Sequence, residues 1–160
     1  MLLYNSRSRQ LELFRARTGQ PVTVYVCGIT PYDTTHLGHV FTYVVFDVLV
    51  RHLETVHGWK VHYVQNVTDV DDDLLRRASA TGEDWRALGR RWTARFAADM
   101  TALRLRAPDA FPAATAHIPD IVRLVERLLA LGVAYQRSGS VYFRAAAAPD
   151  LGQLTDEGDL

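Results

Sequence analysis

Apolar and polar residues change their period several times along the chain, and each change marks an element. The opening "LLYNSRSRQLELF" alternates weakly and predicts a short hairpin. "PVTVYVCGI" is a β-branched and aromatic run, which predicts a buried strand from about Val22 to Val26. The loop "TPYDTT" follows, and Thr34 or Thr35 is the expected N-cap of a helix from about His36 to Val56. In that helix Val40, Tyr43, Val44, Val48 and Leu49 recur at spacings of three and four, and Val45 and Phe46 widen the face. Gly58 is its expected C-cap. "WKVHYVQNVTD" predicts a second strand from about Lys60 to Asn66.

Strand, helix and strand at this length make a βαβ unit, which implies a parallel sheet and a right-handed crossover. Ligands of such sheets bind beyond the carboxyl ends of the strands. That rule places Cys27 to Thr30 and Asn66 to Asp69 side by side at one rim. Three more helices are expected, over about Asp72–Ala80, Asp84–Leu103 and Pro119–Leu131, the last ending at Gly132. Trp85, Leu88, Trp92, Phe96 and Leu103 mark the buried stripe of the longest, and Arg86, Arg90, Arg91 and Arg95 a solvated face. "VAYQRSGSVYFR" reads as a second hairpin turning at Ser138-Gly139. The tail from residue 145 has no strong pattern.

Composition narrows the classes. The 160 residues can bury a real core, and 48% are hydrophobic, too many for a disordered chain. Lys plus Arg and Asp plus Glu are each 18, so no overall basic field points to nucleic acid. Lys60 is the only lysine, an arginine bias that a GC-rich genome accounts for. One cysteine excludes an internal disulfide and fits a reducing cytosol. No signal pattern and no run of about 20 apolar residues is present, so the expectation is a soluble, cytoplasmic protein without a membrane partner.

The candidate chemistry sits in "CGITPYDTTHLGHVFTYVVFD". A helix N-terminus offers unpaired N–H groups and partial positive charge to phosphate. His36 and His39 lie three apart, on one face of the first turn, and both can donate to phosphate oxygens. Gly38, between them, leaves room for an adenine ring against the backbone. The competing readings are solvent-facing or capping histidines, and a zinc site of Cys27, His36 and His39, which lacks a fourth ligand. Asp69, Asp71, Asp72 and Asp73 read as an N-cap with first-turn acids, a role favoured for Asp72 and Asp73, or as a magnesium cluster; Asp69 is instead a candidate for orienting the pocket. His117 reads as a helix-start cap.

"YVCGITPYDTTHLGHVFTYVVFDVLVRHLE", "VHYVQNVTDVDDDLL" and "HIPDIVRLVERLLALGVAYQRSGSVYF" follow one another in an order that resembles the cysteinyl-tRNA synthetase family, with "HLGH" similar to the HIGH signature of class I synthetases. The family includes the mycothiol-pathway ligase that joins cysteine to glucosaminyl-inositol. The resemblance runs from about Tyr4 to Leu154. It implies an α/β fold: a Rossmann-like parallel sheet, the N-terminal half of a class I catalytic domain, with an inserted helix-and-hairpin piece. Residues 1–105 would be the first half of the nucleotide-binding domain, and 106–160 the start of the inserted connective segment.

The resemblance also implies a reaction, in which ATP with Mg2+ and L-cysteine form cysteinyl-adenylate and pyrophosphate. His36 and His39 would be catalytic and would bind ATP together with Gly38. Gly28, Thr30 and Thr68 would bind substrate, and Cys27 would be one ligand of a Zn2+ that selects a thiolate over a hydroxyl. The other zinc ligands, a KMSKS-like signature and the anticodon-binding end are not in this sequence. The expectation is therefore a domain truncated before the second signature, of doubtful activity alone, with a missing C-terminal half as partner. The alternatives are a non-catalytic nucleotide- or cysteine-binding module and one half of a split enzyme. A nucleotidyltransferase outside the synthetases also fits HxGH, but the ordered "TDVDD" and "HIPDI" segments argue against it. The acceptor is tRNA, as in protein biosynthesis, or an amino-sugar; "GITPYDTTHLGH" and Asp73, where the synthetases usually place lysine, lean toward the mycothiol-ligase branch.

Overall fold

The structure is a computed structural model that describes residues 1–150. Contacts group it into two compact units, Ala16–His117 and Met1–Arg15 with the described residues from Ile118 onward.

The first unit is the expected βαβ arrangement. Strand β3 (Val22–Ile29) pairs parallel with β4 (Val61–Val67), in the register Val22↔Val61 to Val26↔Gln65. The strands are joined through helix α1 (Leu37–Thr55). The parallel sheet continues past β4. Val64 and Val67 form isolated parallel bridges to Ala110 and Ala113, a third-strand position that the pattern of "DAFPAA" did not announce. Pro108 precedes that stretch and Pro112 interrupts it, and proline cannot donate to a ladder.

β3 runs to Ile29, three residues beyond the expected end, through a register shift between Val26 and Ile29. It is also not buried on both faces. Val22, Val26 and Ile29 are buried, whereas Thr23, Tyr25 and Cys27 are exposed. One face of the sheet packs with Tyr43 and Val50 of α1 and Phe96 of helix α3 (Trp85–Ala102) into the main core. Tyr43 meets Phe96 edge-on at 5.0 Å between centroids. Burying side chains of this size stabilises by roughly 1.5–3 kcal/mol each.

The buried line of α1 is Tyr43, Asp47, Val50 and Leu53; of the expected stripe Tyr43 lies in it, Val40 and Leu49 are half-buried, and Val44 and Val48 are exposed. Val48 is 61% exposed and Phe41 72%. The helix is apolar almost all round, so its period could not choose the face. Buried Asp47 is held by its bonds: it accepts from Arg51 Nε at 2.7 Å and from the Arg106 N–H at 2.7 Å. α1 ends at Thr55 with Val56 as C-cap, and the reversal falls on Gly58, whose φ is +65°, two residues past the cap.

Helix α2 (Asp72–Thr81) is capped by Asp71, which accepts from the Asp73 N–H, while Asp72 and Asp73 occupy the first turn. Leu74 and Ala78 of α2 pack on Leu88, with Trp85 and Trp92 beside them, so these tryptophans serve packing. Leu103, expected in the stripe, is 47% exposed past the helix end.

In the second unit, β1 (Leu2–Asn5) and β2 (Gln10–Leu13) form an antiparallel hairpin, helix α4 spans Ile118–Ala130, and β5 (Ala134–Arg137) pairs with β6 (Ser140–Phe143). Ser138 and Gly139 carry φ of +52° and +83°, the two positive values a type I′ turn needs. No helix among the described residues is long and apolar enough to cross a membrane.

Candidate active site

The N-cap of α1 is His36, not Thr34 or Thr35. Its Nδ1 accepts from the Gly38 N–H at 3.1 Å and from the His39 N–H at 3.4 Å. His39 reaches back, its Nδ1 accepting from the His36 N–H at 3.5 Å. This is a capping box built from two imidazoles. The rings stack at 3.8 Å, 19° from parallel. Threonine is the commoner cap, and a histidine in the same role leaves no signature in composition.

The cap has a chemical consequence. An imidazole that accepts at Nδ1 carries its proton on Nε2. Both rings are thereby held as Nε2–H donors. Burial pushes the His39 pKa below its ordinary 6.5, and the neighbouring His36 adds to the effect. The first turn of α1 holds no acidic residue, so the positive end of the helix keeps its attraction for an anion. An open groove of about 590 Å3 begins at Thr34–Leu37 and is walled by Arg95 and Asp99 of α3.

Gly38 has a use of its own in this arrangement. A Cβ there would stand 3.0 Å from Cε1 and Nδ1 of His36, so the missing side chain makes room for the capping ring.

The strand ends converge as the sheet rule required. The Thr68 N–H donates to the Ile29 carbonyl at 2.8 Å. At the register shift, Gly28 donates its N–H to Asn66 Oδ1 at 2.8 Å, and a Cβ on Gly28 would lie 1.5 Å from the Asn66 carbonyl oxygen. Only glycine fits so close an approach. Asn66 Nδ2 donates to Thr68 Oγ1 at 3.2 Å. Thr30 directs its carbonyl to the Tyr32 N–H at 3.0 Å. Cys27 is exposed on the uncovered face of β3, and its carbonyl accepts from buried Tyr43, whose hydroxyl pKa is pushed up by burial. Asp69 clasps Thr115 through both the backbone N–H and the hydroxyl, which anchors the segment after the third-strand position. His117 closes the short turn Ala114–His117 directly ahead of α4.

Zinc needs about four donors in a structural site and three protein donors in a catalytic one. Among the described residues no three His, Cys, Asp or Glu side chains stand close enough to hold a metal. Cys27 is one thiol, and these residues do not assemble a zinc centre around it.

A parallel sheet with a helix N-terminus at its carboxyl rim, capped by two histidines of an HxGH motif, defines a class I synthetase catalytic fold. Two solved structures share it, both methionyl-tRNA synthetases of Mycobacterium tuberculosis bound to methionyl-adenylate. One superposes with a TM-score of 0.63 over 71% of this chain and 23% of the other at 24% identity. The second gives 0.64 over 79% and 29% at 19% identity. The family described as tRNA synthetases class I (C) catalytic domain matches residues 13–159, and the chain belongs to that family.

Among curated relatives, the L-cysteine:1D-myo-inositol 2-amino-2-deoxy-alpha-D-glucopyranoside ligase of Thermomonospora curvata is 52% identical over 139 residues, 87% of this chain and 33% of the relative. The cysteine–tRNA ligase of Thermosynechococcus vestitus is 46% identical over 153 residues, 96% of this chain and 31% of the relative. The chain spans about a third of the length of these relatives.

Proposed function

We propose that this chain is the ATP- and cysteine-binding part of a ligase that activates L-cysteine. A carboxylate oxygen of cysteine attacks the α-phosphorus of Mg2+-bound ATP, pyrophosphate leaves, and cysteinyl-adenylate forms. A nucleophilic acceptor then takes the cysteinyl group and AMP leaves. The observation that carries the reading is the imidazole capping box: it aims two Nε2–H donors from the positive end of α1, where phosphate charge would gather. Gly38 keeps that pair in place, and Gly28, Thr30 and Thr68 form the rim where cysteine would sit. Cys27 would be one donor of a zinc completed from outside these residues; when bound, that metal would prefer a thiolate to a hydroxyl.

Residues 1–105 are assigned to the nucleotide-binding half and 106–160 to the start of an inserted connective segment, with Ala110 and Ala113 adding to the parallel sheet across that boundary. The acceptor favoured is the amine of an amino-sugar, because relatives with that activity in their name are 50–54% identical, against 46% for the tRNA ligase. The compartment assigned is the cytoplasm.

The test is cysteine-dependent exchange of pyrophosphate into ATP, with zinc added and with the unmatched portion of the T. curvata ligase supplied. The reading expects exchange that His39→Ala abolishes, and little or none from the chain alone. No exchange from a folded, supplemented sample would contradict it. Exchange followed by cysteine transfer to tRNA and not to glucosaminyl-inositol would move the assignment to the other branch.

A further inference from the structure

Both polar atoms of the Asn66 amide are engaged. Oδ1 accepts from the Gly28 N–H at 2.8 Å and from the Tyr25 hydroxyl at 2.9 Å, and Nδ2 donates to Thr68 Oγ1 at 3.2 Å. The orientation of the amide is fixed by chemistry. A backbone N–H can only donate, so the atom facing Gly28 must be the oxygen, and the nitrogen must face Thr68. Thr68 Oγ1 therefore accepts a hydrogen bond from Asn66, and its own O–H is left to donate to another acceptor. Among the described residues nothing else bonds to that hydroxyl.

We infer that Asn66 is a positioning residue that sets the polarity of Thr68, making its hydroxyl a hydrogen-bond donor toward an electron-rich group of the bound cysteinyl ligand. The inference rests on the proposed cysteine site at this rim. The same amide pins Gly28 at the register shift, so one side chain joins both strand ends and aims one of them. Neither task can be read from "QNVTD", where asparagine looks like an ordinary residue at a strand end.

Asn66→Asp separates the two tasks. At neutral pH a carboxylate still accepts from Gly28 and Tyr25, so the strand clasp survives. It can only accept from Thr68, so the threonine hydroxyl must turn inward to donate. Asn66→Ala removes both tasks, and slower-to-faster exchange of the Gly28 amide would report the lost clasp.

The measurement is calorimetric affinity for 5′-O-(N-L-cysteinylsulfamoyl)adenosine, made on the wild-type chain, Asn66→Asp, Thr68→Val and the double variant. Thr68→Ser is the control that keeps the hydroxyl. The expected result is a loss of about tenfold or more for Asn66→Asp and for Thr68→Val. The double variant should be little worse than either single one, because the two residues act through one proton. Gly28 amide protection should stay intact in Asn66→Asp. Additive losses, or an Asn66→Asp chain that binds like wild type, would overturn the inference and leave the cysteine site standing. A folded wild-type chain that binds no mimic would remove the site and the inference together.

Discussion

His36 and His39 cap each other: the Nδ1 of each accepts the other's backbone N–H, at 3.4 Å and 3.5 Å, with the rings stacked between them. The pair is at once the start of a helix and the proposed phosphate site. These two roles separate by substitution. His36→Ala should cost about 1 kcal/mol of stability, the usual loss on removing a cap. His36→Asn should restore most of that stability, since asparagine caps well, yet should not restore ATP affinity. Urea unfolding beside nucleotide titration checks both.

The same geometry fixes a pH dependence. His39 binds a proton less readily in the folded chain than at its ordinary pKa of 6.5, so below that pH the unfolded chain takes up more protons. Stability contributed by neutral His39 is full above about 6.5 and is lost as pH falls through the lowered folded value. Histidine side-chain NMR should show Nε2–H tautomers at neutral pH, and His39→Gln should flatten the acid limb of the stability profile.

Gly28→Ala should be among the most damaging single changes, because its Cβ would fall 1.5 Å from the Asn66 carbonyl oxygen in the backbone of the neighbouring strand. Nothing flexible can yield there. A loss of several kcal/mol, about the scale of a severe overpacking error, is expected in chemical denaturation. Gly89→Ala, whose Cβ would meet only Leu74 at 3.6 Å and Pro31 at 3.9 Å, should be mild.

Asp47 supplies a fourth stability test. It is a buried carboxylate satisfied by Arg51 and by the Arg106 N–H. Asp47→Ala leaves that N–H without its acceptor and should cost about 1–3 kcal/mol. Asp47→Asn, which keeps an acceptor, should cost less.

Much of this was legible beforehand. The βαβ order, the convergence of Cys27–Thr30 with Asn66–Asp69, and the turn at Ser138-Gly139 follow from period and turn chemistry. What was not legible has physical causes. α1 is apolar on nearly every side, so of its buried line the period reached Tyr43, while Asp47, Val50 and Leu53 were set by packing. The two-histidine cap was legible only as a competing reading, because Thr34 and Thr35 have the better propensity. The third-strand position at Ala110–Ala113 is broken by proline, and its bridges depend on β4 being present. The part played by Asn66 needs the three-dimensional neighbours of both its amide atoms.

One titration reaches the proposed phosphate site directly. 15N-labelled chain, titrated with Mg2+-ATP, should show its largest shifts at the amides of His36 to His39 and at their imidazole Nε2, all lost in a His36→Asn, His39→Asn double variant that remains folded. Saturating ATP that leaves those resonances unmoved, or moves only residues far from the start of α1, would contradict it.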